Sequence, residues 1–383
     1  MPRQEENLEE LNSYLRTMVQ RNASDLFITA GLAPTLKIHG KLFPADSTEL
    51  GADQVKQLAF LLMDDGQEEE FRRTQETNFA IESDNIGRFR VNVFQQKNQV
   101  GMVLRKIETR IPEVKHLGLP EIIIDLAMDK RGLVLIVGAT GSGKSTTVAS
   151  MIGHRNTYGT GHIITIEDPI EFVHNHGSCV VTQREVGVDT QSFESALKNT
   201  LRQAPDVVLI GEIRTREVMQ HAITFAETGH LCLATMHANN ANQALDRIAN
   251  FFPDDRRNQL LLDLSLNLKA IIAQQLIPTP SHSGRSVALE ILLNTPLTAK
   301  HILNGEFYKL KEVIQKSTPL GMQTFDQALF DLYKKGDISY DDAIHHADAP
   351  NGLRLMVKLD KDNKLDTNTS AVENMSLLDP RDT

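Results

Sequence analysis

The stretch LVLIVGATGSGKSTTVASMIG constrains this chain more than any other. Its five apolar residues, Leu133 to Val137, show no polar alternation, so a strand built from them must be covered on both faces. The turn that follows, Gly138-Ala139-Thr140-Gly141-Ser142-Gly143-Lys144-Ser145, fits GxxxxGK[ST] and leads into Thr146 and a run of helical period. Glycines there let backbone N–H groups turn inward around phosphate oxygens, and the helix adds its positive N-terminal end. Lys144 is placed to reach the outer phosphates of a nucleotide and Ser145 to ligate Mg²⁺. An accidental glycine turn would not have a buried strand directly before it and a helix directly after it.

The same style continues beyond this turn. HIITI, DVVLIG and HLCLATM are further unbroken apolar strands separated by helical segments, which calls for a parallel sheet flanked by helices. Residues 241 to 277, with Leu, Ile and Ala at helical steps, are expected to add a largely helical extension. The first hundred residues read differently. Leu8, Leu11, Leu15 and Met18 make a one-sided helical stripe, and GADQVKQLAFLLM repeats that period. DLFITA, TLKIHGKLF, TNFAIES and GRFRVNVFQQKNQVGMVLRKI instead alternate apolar with polar residues, as the strands of an antiparallel sheet do. The expected division is an N-terminal domain over 1–108, a connector over 109–120 marked by Pro112, Gly118 and Pro120, a P-loop domain over 121–357 and a disordered polar tail over 358–383.

Composition removes several function classes. A net charge of -10, from 50 acids and 40 bases, disfavours a general binder of nucleic-acid backbones. No apolar run approaches the ~18 residues that span a bilayer, and the acidic start MPRQEENLEELN does not read as a signal peptide, so a cytoplasmic protein is expected. Two cysteines, Cys179 and Cys232, without a CxxC, offer neither a disulfide framework nor a thiolate zinc module.

Nucleotide hydrolysis also needs acids that hold the metal and orient water. In APDVVLIGEIR the apolar residues Val207 to Ile210 run into Gly211-Glu212, where an Asp-Glu pair would be usual. Glu212 therefore stands just past a buried strand, at the carboxyl edge where open α/β sheets bind their ligands, and could accept a proton from the attacking water. Pairing with Arg214 or Arg216 on the surface is the bland alternative. Glu167 and Asp168 close the strand HIITI, where Pro169 stops the ladder, and could supply the metal contact that Gly211 cannot.

In ETGHLCLATMH, seven residues separate His230 from His237, an odd spacing that sends them to opposite faces of a strand, so a shared metal is disfavoured. The preceding TREVMQHAITFAETG is a helix, with Thr215 to cap its start and Gly229 its end. His237 falls on the P-loop edge and suits contact with a γ-phosphate, whereas His230 reads equally as a hydrogen-bonded histidine at a helix-to-strand joint. Arg88, Arg90 and Arg105 lie on N-terminal strands as ordinary solvated arginines or, in a ring, as groups aimed at a neighbour's nucleotide.

Taken in order, GATGSGKST, ITIEDPIEF, QREVG (Gln183 to Gly187), LRQAPDVVLIGEIR and TGHLCLATMHANNA resemble the Walker A, Asp box, following strand motif, Walker B and His box of the type II/type IV secretion ATPase superfamily. With ASDLFITAG, GRFRVN and VLRKI, the resemblance covers about residues 5 to 355 and is similar to the pilus retraction ATPases, the PilT/PilU group. It implies an α/β protein with a small PAS-like N-terminal domain and a RecA-like P-loop domain. It further implies a homo-hexameric ring, peripheral to the inner membrane at the base of a type IV pilus, that hydrolyses ATP with Mg²⁺ during retraction. A membrane platform protein and a PilT-type paralogue are the implied partners.

Carried residue by residue, the resemblance gives Gly138, Thr140, Gly141, Ser142, Gly143, Lys144, Ser145, Thr146 and His230 to the nucleotide, and Ser145 and Asp168 to the metal. Glu212, Glu167, His237, Arg90 and Arg105 go to catalysis, the arginines acting on a neighbouring subunit's ATP, and Gly211 becomes a family feature. Two departures stand out. Where retraction ATPases carry AIRNLIREGK, this chain has LTAKHILNGE, Leu297 to Glu306, and it continues through GMQTFDQALFDLYKKGDISYDDAIHHADAPNGLRL into the polar tail. Both are similar to the PilU branch, and they leave an accessory nucleotide-binding subunit as the alternative to an independent motor.

Overall fold

The computed structural model describes residues 2–38, 40–83, 85–108, 110–281 and 284–360. Two compact units emerge: one holds residues up to 111 together with 168–175 and 183–192, the other holds 112–167, 176–182 and the chain from 193 onward. The two inserted stretches were expected in the P-loop domain and instead group with the first unit. Within the expected connector, Val114–Leu117 form a short 3₁₀ turn closed by Gly118 at φ 69°.

The first unit runs α1 (Pro2–Gln20), β1 (Asp25–Thr29), β2 (Thr35–Ile38), β3 (Lys41–Pro44), α2 (Ala52–Leu62), α3 (Asp65–Thr74), β4 (Glu76–Ser83), β5 (Gly87–Gln96) and β6 (Gln99–Ile107). Its strands make one antiparallel sheet in the order β3-β2-β1-β6-β5-β4. Period-two alternation sends Phe89, Val91 and Val93 of β5 inward to full burial, while Arg88, Arg90 and Asn92 stay half-buried on the other face. Leu11, Leu15 and Met18 of α1 and Val55 and Leu58 of α2 pack with Leu26, Ile28, Met102 and Leu104 in the core. Leu8 is 45% exposed, so the buried stripe begins one turn later than its spacing suggests. TLKIHGKLF, expected as a single strand, divides into the β2–β3 pair. α3 was not foreseen because only Phe71 of its ten residues is buried; a reciprocal capping box between Asp64 and Gln67 starts it.

The second unit runs α4 (Ile122–Met128), β7 (Gly132–Val137), α5 (Lys144–Tyr158), β8 (Gly161–Glu167), β9 (Cys179–Glu185, whose last three residues group with the first unit), α6 (Phe193–Thr200), β10 (Val207–Ile210), α7 (Arg216–Glu227), β11 (Leu231–Met236), α8 (Ala241–Phe251), α9 (Asp254–Asn267), β12 (Leu268–Pro278) and β13 (Arg285–Leu293). After these come α10 (Pro296–Leu303), α11 (Leu310–Lys316), α12 (Phe325–Lys335) and α13 (Tyr340–His346). The strands lie in the order β13-β12-β7-β11-β10-β8-β9. Pairing is parallel from β12 to β8, and β13 is antiparallel to β12. β7 and β11 are buried at every position, as their unbroken apolar runs require.

One expectation fails here. Residues 241 to 277 are not helical throughout: α9 ends at Asn267, and Leu268–Pro278 become a long strand between β7 and β13. Five consecutive buried residues, Ala270 to Gln274, and the β-branched pair Ile271-Ile272 suit a strand covered on both faces. The expected tail also starts too early, because residues 350–360 are helical; 361–383 lie outside the described residues. Among the described residues no helix is long and apolar enough to cross a membrane.

Candidate active site

Parallel pairing sets which residues leave the sheet together. Val137 is level with Met236 and with Ala273, and Ile210 is level with Ile166 and Ala234. The next residues along each strand are therefore neighbours at one carboxyl edge: the P-loop after β7, His237 after β11, Gly211-Glu212 after β10 and Glu167 at the end of β8.

The P-loop is close-packed from below by a residue that motif reading missed. Gln274 of β12 is 3% exposed, donates from Nε2 to the Ser142 carbonyl at 2.7 Å and accepts at Oε1 from the Thr147 hydroxyl at 2.7 Å. One side chain thus ties the loop to the first turn of α5. This contact also explains two of the glycines. A Cβ on Gly138 would stand 2.6 Å from the Gln274 carbonyl oxygen, and one on Gly143, whose φ is 85°, 2.8 Å from Gln274 Nε2. The signal was present as a glutamine pair inside an apolar run, but the helical reading of that run hid it.

Lys144 is 8% exposed, and its Nζ donates to the carbonyls of Gly138 and Ala139, both at 2.9 Å. Ser142 is buried and its Oγ finds no partner, an unmet polar atom inside the loop. Thr140 and Gly141 are exposed at the tip, while Ser145 and Thr146 are half-buried at the start of α5. A loop with a buried cation folded onto its own carbonyls, an unmet hydroxyl and a helix N-terminus matches the donor set that polyphosphate requires.

Glu212 joins two motifs. Its side chain is 17% exposed; Oε1 lies 3.1 Å from His237 Nε2 and Oε2 lies 2.6 Å from Arg214 Nη2. The surface pairing with Arg214 and the approach to His237 therefore both occur. The carboxylate can exchange these two donors for a water, as a base needs, and the imidazole and guanidinium so released can turn to phosphate oxygens. Gly211 has a physical reason to be glycine: its N–H donates to Ile166 O at 2.7 Å, and a Cβ would stand 3.0 Å from Glu167 Cα. The Thr235 hydroxyl donates to the Gly211 carbonyl, tying β11 to this turn. Glu167 accepts from the Thr165 hydroxyl at 2.7 Å. Asp168 begins the stretch that groups with the first unit and is exposed, so the P-loop unit alone does not contain it.

His237 is braced by α8: Arg247 donates to its carbonyl at 2.9 Å, and the Asn240 side chain caps the helix by accepting from Gln243 N at 2.9 Å. A groove lined by Gln243, Asp246, Arg247 and Asn250 opens beside the imidazole. His230 is not brought to this edge. It precedes β11 at the amino end, where its Nδ1 pairs with the Thr228 hydroxyl at 3.0 Å and the Phe225 carbonyl at 3.2 Å. At about 3.3 Å per residue the two histidines stand roughly 20 Å apart. As expected, Thr215 caps α7, accepting from Val218 N, and Gly229 follows the helix end with φ 96°.

In the first unit Arg90 and Arg105 prove to be directly opposite each other on β5 and β6. Like charges so placed repel. Asp25, opposite Arg105 on β1 and 3% exposed, offsets this by accepting from Arg105 Nε at 2.7 Å. The fifteen-residue spacing of the arginines is thus the register of one hairpin.

The chain matches the "Type II/IV secretion system protein" family over residues 4–317. It is 58% identical over 368 residues to the type IV pilus ATPase PilU of Pseudomonas aeruginosa, covering 96% of each chain. To the type IV pilus retractation ATPase PilT of the same organism it is 39% identical, covering 89% of this chain and 99% of that one. A crystal structure of the pilus retraction motor PilT with bound ADP superposes with a TM-score of 0.82 at 38% identity, covering 88% of this chain and 96% of that one. The chain belongs to the type II/IV secretion system protein family, in its PilT/PilU group of pilus ATPases.

Proposed function

We propose that this protein is an ATP-hydrolysing subunit of a homo-hexameric ring in the cytoplasm, at the inner-membrane base of a type IV pilus, that drives or assists pilus retraction. The observation that carries the reading is the convergence of the P-loop, Glu212 and His237 at one sheet edge. ATP phosphates displace the Lys144 ammonium from the Gly138 and Ala139 carbonyls and take the inward N–H groups of the loop. Ser145 would hold Mg²⁺, which would supply positive charge to offset the charge that develops on the phosphates. Glu212 orients and deprotonates the attacking water, Glu167 lines the same edge, and His237 turns from Glu212 to the γ-phosphate. Arg90 and Arg105 of one copy meet the nucleotide of the next, so that hydrolysis moves one subunit against another. A membrane platform protein receives that motion.

A second reading has its own support. The segment Leu297 to Glu306 forms α10 and its turn, where Glu306 pairs with His301 at 2.9 Å and Lys309 at 2.7 Å in place of a strongly basic stretch. With 58% identity to a PilU against 39% to a PilT, this favours a subunit that works beside a PilT-type paralogue. Phosphate release by the purified protein and by Glu212→Gln tests the first reading: equal rates sink it. Activity that arises only when the paralogous ring is added selects the second.

A further inference from the structure

A buried carboxylate lies on the opposite side of the His237 loop from Glu212. Glu290 of β13 is 3% exposed, and its Oε1 accepts the N–H of Ala241, the first residue of α8, at 2.9 Å. The register makes the position significant: Glu290 is level with Ala273 of β12, which is level with Val137, the residue before the P-loop. From His237 to Ala241 the chain is held at successive points, by Arg247 on the His237 carbonyl, by Gln243 Oε1 on Asn239 N, by the Asn240 cap and by Glu290. Of these holders only Glu290 comes from outside α8 and its cap.

Behind the carboxylate lies the C-terminal helical layer. Lys311 of α11 bonds Asp348 at 2.8 Å, and Asp326 of α12 accepts from the amides of Asp348 and Ala349, the latter just ahead of the helical stretch 350–360. Glu290 feels Lys311, Asp348 and Asp326 from that side and the Ala241 N–H from α8; its strand neighbour on β12, Ala273, carries no charge. We propose that Glu290 is a positioning residue through which the C-terminal helices set the pose of the 237–241 loop, with the charge on Glu290 as the setting. This deepens the hydrolysis reading above and rests on it for the rate effect alone.

Burial pushes the Glu290 carboxyl up to about 7; the Ala241 N–H and Lys311 oppose that rise, while Asp348 and Asp326 add to it. Near neutrality the group therefore divides between a carboxylic acid and a carboxylate, and the carboxylate makes the stronger hydrogen bond to an N–H at a helix start. Rising pH fastens the loop. Displacement of Asp348 by a partner bound to the C-terminal helices would likewise fasten it, and displacement of Lys311 would loosen it.

The test combines hydrogen exchange of the peptide spanning 237–243, which needs no hydrolysis, with the pH dependence of kcat and KM of the full-length protein. In the wild type, kcat should rise about threefold through a midpoint near neutrality with KM flat, and Glu290→Gln, which keeps an acceptor but cannot titrate, should abolish that step. Lys311→Met should move the midpoint to higher pH. Glu290→Leu should speed exchange of the peptide about tenfold, and Glu290→Gln should restore protection. A wild-type pH step persisting in Glu290→Gln, or unchanged exchange in Glu290→Leu, overturns the proposal. Should Glu290→Leu fail to fold, the Glu290→Gln pH profile decides. If the wild type hydrolyses no ATP at all, the exchange experiment still judges the positioning while the hydrolysis reading alone falls.

Discussion

The two edges of the seven-stranded sheet carry the same kinds of residue in opposite circumstances. At the amino edge His230 is closed onto Thr228 and the Phe225 carbonyl, and His162 is bonded at both ring nitrogens, to the Gln203 carbonyl and the Thr182 hydroxyl. At the carboxyl edge Lys144 rests on carbonyls of its own loop, while Glu212 holds His237 and an arginine that is 59% exposed. The first set consists of imidazole nitrogens closed onto hydroxyls and backbone carbonyls. The second consists of charged groups that can change partners. Parallel topology produces the contrast, because it aims helix starts such as that of α5 at the carboxyl edge. A polar residue type therefore says little about function until its edge is known.

Removing the exchangeable charge gives the largest expected effect. Glu212→Gln keeps the shape of the site and loses the base, so kcat should fall about a thousandfold while nucleotide still binds. The first unit enters the same prediction through Arg105. Because Arg105→Ala alone would strand the buried Asp25 carboxylate, it is best paired with Asp25→Asn. That double variant and Glu212→Gln should each be inactive, yet roughly a quarter of the sites in an equimolar mixed oligomer would join an intact arginine to an intact glutamate. Phosphate release that stays at zero on mixing would mean that the site is not shared between copies.

Next in size is the buried carboxylate behind the carboxyl edge. The folded Glu290 holds a proton that the unfolded chain gives up near 4.5, so stability should decline as pH rises from about 4.5 to about 7 and level off above. The shift corresponds to about 3 kcal/mol. Glu290→Gln should remove this slope and be the more stable protein at pH 8 by an amount of that order, with little difference near pH 4. Denaturant titrations at the two pH values check it. Identical slopes would show that Glu290 is charged in the folded protein throughout.

Smaller again is the support beneath the P-loop. Gln274→Leu leaves the Thr147 hydroxyl and the Ser142 carbonyl without their buried partner, a cost of about 2 kcal/mol, and should weaken nucleotide binding about tenfold. Calorimetric titration with a non-hydrolysable nucleotide measures the second effect. Unaltered affinity would detach β12 from the site and leave Gln274 as core packing.

The carboxyl edge was legible because its motifs sit at strand ends, and unbroken apolar runs mark those ends wherever a parallel sheet is buried. Lys144, Glu212 and His237 could thus be placed from spacing alone. What escaped depends on pairings between distant strands. Gln274, Asp25 and Glu290 act on residues 132, 80 and 49 positions away, and no local period records such a partnership. β12 was misread because its apolar residues follow directly on those of α9, so one period appeared to span both. The stretches 168–175 and 183–192 were assigned by sequence neighbourhood, although their companions lie in the first unit.

The smallest effect is the one that tests the contrast between edges most directly. His230→Ala removes the Nδ1 bonds to Thr228 and Phe225 at the helix-to-strand joint, so unfolding should become easier by about 1 kcal/mol. His237→Ala removes a side chain that is itself about one-third exposed, leaves Glu212 paired with Arg214 and should cost less stability, while lowering kcat by about ten- to a hundredfold. For His230→Ala any deficit in turnover should shrink on cooling, as the joint reforms. A deficit that persists at low temperature with stability intact would move His230 out of the scaffold and into the catalytic machinery, and the division between the two edges would no longer hold.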